Sequence, residues 1–116
     1  MDVGSTELFT TILVVEDEKE ILALLKLALP RYGFDPILVG SGDEAVEVFR
    51  RRWQQIAAVL MDVQMPGLDG LETLAILQEV DPSVRCCFIS GDPGKFSEKR
   101  LSEFGEWLRS PKNRGW

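Results

Sequence analysis

The 116-residue chain contains no histidine. That absence removes Ser-His-Asp and Cys-His catalysis and most zinc sites together. Cysteine is nearly absent too, with only Cys86 and Cys87, adjacent in an apolar run. Neighbours on a strand point to opposite faces, so these two are poorly placed to bond to each other. They read as core or near-core thiols of a reducing compartment. No apolar stretch is long enough to span a bilayer. Residues 1–10 carry Asp2 and Glu7 and have no apolar h-region, so they are not expected to be a signal peptide. A cytoplasmic location with no membrane partner is the resulting expectation. Basic residues are outnumbered, 13 against 19 acidic, for a net charge of −6. An acidic surface repels phosphate backbones, so nucleic-acid binding by this chain alone is not expected. No G-x-G-x-x-G follows the first apolar run, which disfavours a dinucleotide fold.

What is present describes one soluble domain. The hydrophobic fraction of 45% suffices for a core, and the chain is too short for a second one. Residues 11–15 (TILVV) form a short apolar run rich in β-branched side chains, as a buried parallel strand requires. From 18 to about 29, Ile21, Leu22, Leu24, Leu25, Ala28 and Leu29 recur at helical spacing, and Pro30 and Gly33 close that helix. Residues 35–39 predict a second strand. Ser41 and Glu44 have the spacing of a capping box, which opens a helix to about residue 53. Residues 57–61 (AAVLM) predict a third buried strand, with Asp62 at its carboxyl end. Residues 65–70 form a turn-rich loop, and Asp69 has the chemistry of a helix N-cap. Residues 71–80 are helical, 84–90 (VRCCFIS) predict a fourth strand, and 97–104 predict a short helix capped by Ser97 and stopped by Gly105. Strands alternating with helices through short loops predict an α/β, doubly wound parallel sheet with helices on both faces.

In such a sheet ligands bind at the carboxyl ends of the strands. Strand one ends in Glu16-Asp17, strand three in Asp62 and strand four in Ser90. Three carboxylates then converge on one small volume. Converging carboxylates repel and require a cation or a proton. Hard oxygen ligands without imidazole or thiolate favour Mg²⁺. Mg²⁺ held by a few carboxylates commonly completes its shell with phosphate oxygens, and a carboxylate is itself a competent nucleophile toward phosphorus. Each residue has a plainer reading. Asp62 would cap a turn, Glu16 and Asp17 would complement a helix dipole, and Ser90 would be a satisfied strand-end hydroxyl.

The segment Ile12-Leu13-Val14-Val15-Glu16-Asp17-Glu18 resembles the first strand and acidic pair of two-component response-regulator receiver domains. The run from Val59 to Gly70 (VLMDVQMPGLDG) is similar to their phosphoacceptor strand and loop, and Phe88-Ile89-Ser90-Gly91 to their hydroxyl-bearing fourth strand. The resemblance covers roughly residues 10–105 and implies a flavodoxin/CheY-like three-layer fold. It implies that Asp62 accepts a phosphoryl group from a sensor histidine kinase, a histidine phosphotransfer protein or a small phosphodonor. It implies that Glu16, Asp17, Asp62 and the backbone carbonyl of Gln64 bind Mg²⁺, and that Ser90 bonds a phosphoryl oxygen. Gln64 and Asp92 resemble positions that tune dephosphorylation. The kinase partner would dock near the first helix. No enzymatic activity is implied beyond the domain's own aspartyl phosphorylation and dephosphorylation.

The C-terminal part departs from the family. Lys112 stands at the spacing from Ser90 expected of the fifth-strand lysine that contacts the phosphoryl group, but Asn113 follows it where the family has proline. Residues 107–110 make a weak fifth strand, and the family's switch aromatic falls on Arg109. The last helix of the family is missing before Trp116. These features imply a receiver over residues 11–112, incomplete at its C-terminus, between tails at 1–10 and 113–116. One side of the sheet is then expected to expose apolar surface, which Trp107 and Trp116 would cover in part or which would contact another protein chain; the plainer reading, and the favoured one, is a frayed or truncated end with no role. Two alternatives follow. One is a degenerate receiver that serves as an interaction module without switching. The other is an aspartate-nucleophile phosphatase of the haloacid-dehalogenase kind, disfavoured because Gln64 stands where such enzymes carry an acidic residue.

Overall fold

The structure, a computed structural model, describes residues 9–89 and 97–110. The first apolar run forms β1 (Thr10–Val15), in which Ile12, Leu13, Val14 and Val15 are wholly buried. A strand buried on both faces has no use for polar alternation, and none is present. Helix α1 (Lys19–Ala28) follows and tightens into a 3₁₀ turn over Leu29–Tyr32, with Pro30 in its first positions. Gly33 ends it at φ 88°, a left-handed conformation that glycine adopts without penalty. Strand β2 (Phe34–Val39) leads to α2 (Gly42–Arg52). Ser41 Oγ accepts from the Glu44 N–H at 3.1 Å, as the spacing predicts, but the Glu44 carboxylate reaches back to Gly40 N–H instead, at 2.8 Å. Strand β3 (Ala58–Asp62) is buried throughout, α3 (Gly70–Val80) follows it, and β4 (Cys86–Ile89) completes a parallel sheet in the order β2-β1-β3-β4.

The alternation of side chains divides the core. Ile12, Val14, Leu60 and Ile89 face α1, while Leu13, Val15, Val59 and Met61 face α2 and α3. Right-handed crossovers dictate this division, because the step from β1 to β2 runs opposite to the steps that reach β3 and β4. Cys86 and Cys87 lie in different halves of the core and are unbonded thiols, as adjacent strand positions require.

The C-terminal region differs from the sequence expectation. Helix α4 spans Glu98–Arg109, so Gly105 does not stop it. Residues 107–109 are the last turn of this helix, not a fifth strand. The reason is a stripe of Leu101, Phe104, Gly105 and Leu108 at one-turn spacing, all buried. Burying each large side chain contributes roughly 1.5–3 kcal/mol, more than the cost of one helical glycine. A Cβ at Gly105 would meet Phe34 at an ordinary 3.7 Å but the Arg109 guanidinium at 2.9 Å, so the glycine leaves room for Arg109 over the Phe34 ring. Helix α4 packs on the α1 face, with Phe104 5.3 Å from Phe34 between ring centroids. The sheet face expected to be exposed is therefore covered: Phe34, Leu60 and Ile89 are all buried beneath α4. Arg85 anchors the end of the helix by donating to the carbonyls of Leu108 at 3.1 Å and Trp107 at 3.3 Å. Arg109 is likewise held, donating to the Tyr32 carbonyl at 2.9 Å above the Phe34 ring.

Candidate functional site

Parallel strands end on one edge, and the register decides which ends meet. Val15 pairs with Met61, and Asp62 with Ile89, so the residues following β1 stand beside the end of β3. Oxygen atoms of Glu16, Asp17 and Asp62 lie within 4.8 Å of one another. Glu16 is fully buried and Asp62 nearly so, whereas Asp17 is exposed. Backbone groups orient the two buried carboxylates: Glu16 Oε2 accepts from Glu18 N–H at 3.0 Å, and Asp62 Oδ1 from Gln64 N–H at 3.1 Å.

The convergence expected of Glu16, Asp17 and Asp62 is thus present. Gln64 adjoins the cluster through its bond to Asp62. Asp69 is the N-cap of α3 in a reciprocal box with Glu72, at 2.9 and 3.0 Å, and not a member of the cluster. Ser90, Asp92 and Lys112 lie outside the described residues.

Glycine sets how α3 meets the site. A Cβ on Gly70 would stand 2.7 Å from the Asp62 carbonyl oxygen and 2.9 Å from Val63 Cα. Gly70 N–H donates to the Val63 carbonyl at 2.9 Å. Gly42, at the start of α2, is crowded by Thr73 and Leu68 in the same manner. Sequence reasoning took these glycines as turn and cap residues only. Gly42 follows the N-cap Ser41 and Gly70 the N-cap Asp69, so a helix start accounts for both locally, and their packing role shows only in the fold.

The donor set suits a hard divalent cation: every ligand atom is a carboxylate oxygen, and neither thiolate nor imidazole takes part. Two buried carboxylates fix one side, and exposed Asp17 leaves the other open to water or to a further oxygen ligand.

Comparison with known proteins places the chain in a family. A family model of the response regulator receiver domain matches residues 12–106. The chain belongs to that family. The autoinducer 1 sensor kinase/phosphatase LuxN of Vibrio campbellii is 32% identical over 85 residues, covering 73% of this chain and 10% of the relative. The alkaline phosphatase synthesis transcriptional regulatory protein PhoP of Bacillus subtilis is 37% identical over 68 residues, covering 59% of this chain and 28% of the relative. The chain therefore spans a small part of the length of these relatives. Among solved structures, the receiver domain of the hybrid histidine kinase CckA superposes with a TM-score of 0.76 at 24% identity, covering 86% of this chain and 99% of that one. The response regulator protein TrrA of Thermotoga maritima, in complex with Mg²⁺ and BeF, superposes with a TM-score of 0.66 at 28% identity, covering 84% and 81%.

Proposed function

We propose that this receiver domain takes a phosphoryl group on Asp62 in a Mg²⁺-dependent two-component relay. The observation that carries the reading is the meeting of Glu16, Asp17 and Asp62 at the carboxyl edge of the sheet, within 4.8 Å. A TrrA structure with Mg²⁺ and BeF supports it by likeness. Glu16, Asp17, Asp62 and the carbonyl of Gln64 would hold the ion, whose charge would offset that of the carboxylates and of the incoming phosphoryl oxygens. One Asp62 carboxylate oxygen bonds to phosphorus as the bond from phosphorus to the donor breaks. The donor leaves as acetate from acetyl phosphate, or as imidazole, which takes a proton, from a phosphohistidine. Ser90 would donate to a phosphoryl oxygen, and Lys112 would neutralise another. The backbone bond from Gln64 N–H keeps the Asp62 carboxylate turned within the site.

The donor protein is a sensor histidine kinase or a histidine phosphotransfer protein, in the cytoplasm. The outer side of α1, where Leu24 is 55% and Leu27 72% exposed, is the proposed docking surface. No described helix is long and apolar enough to cross a membrane.

One observation favours a non-switching variant of this reading. Arg109, at the position of the family's switch aromatic, is fixed on α4 by its bond to Tyr32 and does not border Asp62. Asp62 would then be charged without moving a fifth strand.

Incubation with acetyl phosphate tests the proposal. Phosphate incorporation should require Mg²⁺ and vanish in Asp62→Asn. Failure of the well-folded protein to incorporate phosphate, by acetyl phosphate and by a panel of phosphorylated kinases, sinks it.

A further inference from the structure

The two outer edges of the sheet are built differently. On β2, the bonds Thr10 N–H to Gly33 and Glu16 N–H to Val39 turn odd-numbered residues toward β1. Phe34, Pro36 and Leu38 therefore aim their backbone outward, and Pro36 has no N–H to offer. Exposed Asp35 adds charge to that edge. Proline and charge are the usual guards against strand addition. On β4, the bonds Val59 N–H to Arg85 and Val63 N–H to Ile89 turn the odd-numbered residues toward β3. The N–H and C=O of Cys86 and Phe88 then face an edge that has no neighbouring strand among the described residues, and the Cys-Cys-Phe-Ile run carries neither proline nor charge.

Beside this edge lies a groove of about 570 Å³, walled on the other side by Arg100, Glu103, Phe104 and Trp107 of α4. A strand following α4 would not suit the edge. Because α4 packs on the α1 face, the step from β4 through α4 to a further parallel strand would be left-handed, which twisted sheets disfavour.

We infer that the open edge of β4 pairs antiparallel with the same edge of a second copy of this chain, about a two-fold axis at Cys87. That register uses all four outward backbone groups, pairing Cys86 of each copy with Phe88 of the other. Of the charged residues that α4 turns to the groove, Lys99, Arg100 and Glu103, the last two form a complementary pair in the same arrangement. Arg100 and Glu103 lie one turn apart on the groove side of the helix, and a two-fold axis sets each Arg100 against the other copy's Glu103. Cys87, on the α4 face of the sheet, meets its counterpart in a non-hydrogen-bonded pair. Cα atoms in such a pair stand about 4.5 Å apart, within the reach of a disulfide.

Light scattering on the full chain over a wide concentration range, with far-ultraviolet circular dichroism as the folding control, tests this. A reversible dimer is expected. Arg100→Glu should raise its dissociation constant by roughly tenfold or more, since like charges then face each other. The double exchange Arg100→Glu with Glu103→Arg should restore it. Copper–phenanthroline, which removes two electrons as two thiols join, should cross-link the wild type and Cys86→Ala but not Cys87→Ala. A chain that stays monomeric overturns the inference. So does a dimer that ignores the charge reversal, or one that does not cross-link through Cys87.

Discussion

Gly70, the first residue of α3, packs so closely on Asp62 that an added Cβ would stand 2.7 Å from the Asp62 carbonyl oxygen. The backbone on both sides of that contact belongs to regular elements and cannot yield without moving them. Gly70→Ala should therefore cost about 1–3 kcal/mol, the usual cost of overpacking. Urea unfolding measures the loss. Because the shift falls on the end of β3, the same variant should be labelled by acetyl phosphate more slowly than a surface control such as Glu47→Ala.

Mg²⁺ should stabilise the folded chain. Glu16, Asp17 and Asp62 repel one another without a cation, and an unfolded chain does not assemble the site. At a free concentration about 100 times the dissociation constant, the gain is about 2.7 kcal/mol. Thermal unfolding with Mg²⁺ and then with excess chelator reads it directly. Asp17→Asn should shrink the gain while leaving the metal-free melting temperature equal or higher. A variant that keeps the full gain would remove Asp17 from the site.

Arg85 should matter more than a half-buried arginine normally does. It stacks 4.9 Å from the centre of the Trp107 ring and bonds the carbonyls at the end of α4. Arg85→Ala should destabilise by roughly 2–3 kcal/mol, combining charged hydrogen bonds with the ring contact. Hydrogen exchange should accelerate first in α4, and Trp107 fluorescence should change. Lysine should rescue poorly, because it has no planar fork to span two carbonyls.

Alkaline pH should unfold the chain partly through one thiol. Burial, reinforced by the neighbouring Cys87, pushes Cys86 from 9.0 up to about 12. Between those values the unfolded chain has released the proton and the folded chain still holds it, so stability falls as pH rises. The slope contributed by this group is at most about 1.4 kcal/mol per pH unit. Stability below pH 9.0 is unaffected by it. Cys86→Ala should lower the neutral-pH stability and flatten the alkaline decline, as denaturant melts across that range will show.

Much of the fold was legible because its signals are local. The apolar runs of β1 and β3 have no polar alternation, and Ser41, Asp69 and Ser97 each sit at an N-cap whose partner is three residues on. The site was legible for a related reason. In a parallel sheet every strand ends on the same edge, so placing Glu16, Asp17 and Asp62 at strand ends was enough to bring them together. The packing role of Gly70 was not legible, since nothing in a single chain read locally says which backbone its missing Cβ would strike.

The amino-acid order by itself determined the strands, the helix starts, the doubly wound class and the acidic cluster. Each of these depends on periodicity, capping or strand polarity within a few residues. Only the tertiary structure decided what the chain after β4 does. Residues 97–110 offered a glycine that reads as a stop and a weakly strand-like run, yet they form one helix on the α1 face. The deciding partners, Phe34 beneath Phe104 and Arg85 at the helix end, lie far away along the chain. Burial against them outweighs the local preference of Gly105, and it leaves the outer edge of β4 without a neighbouring strand among the described residues.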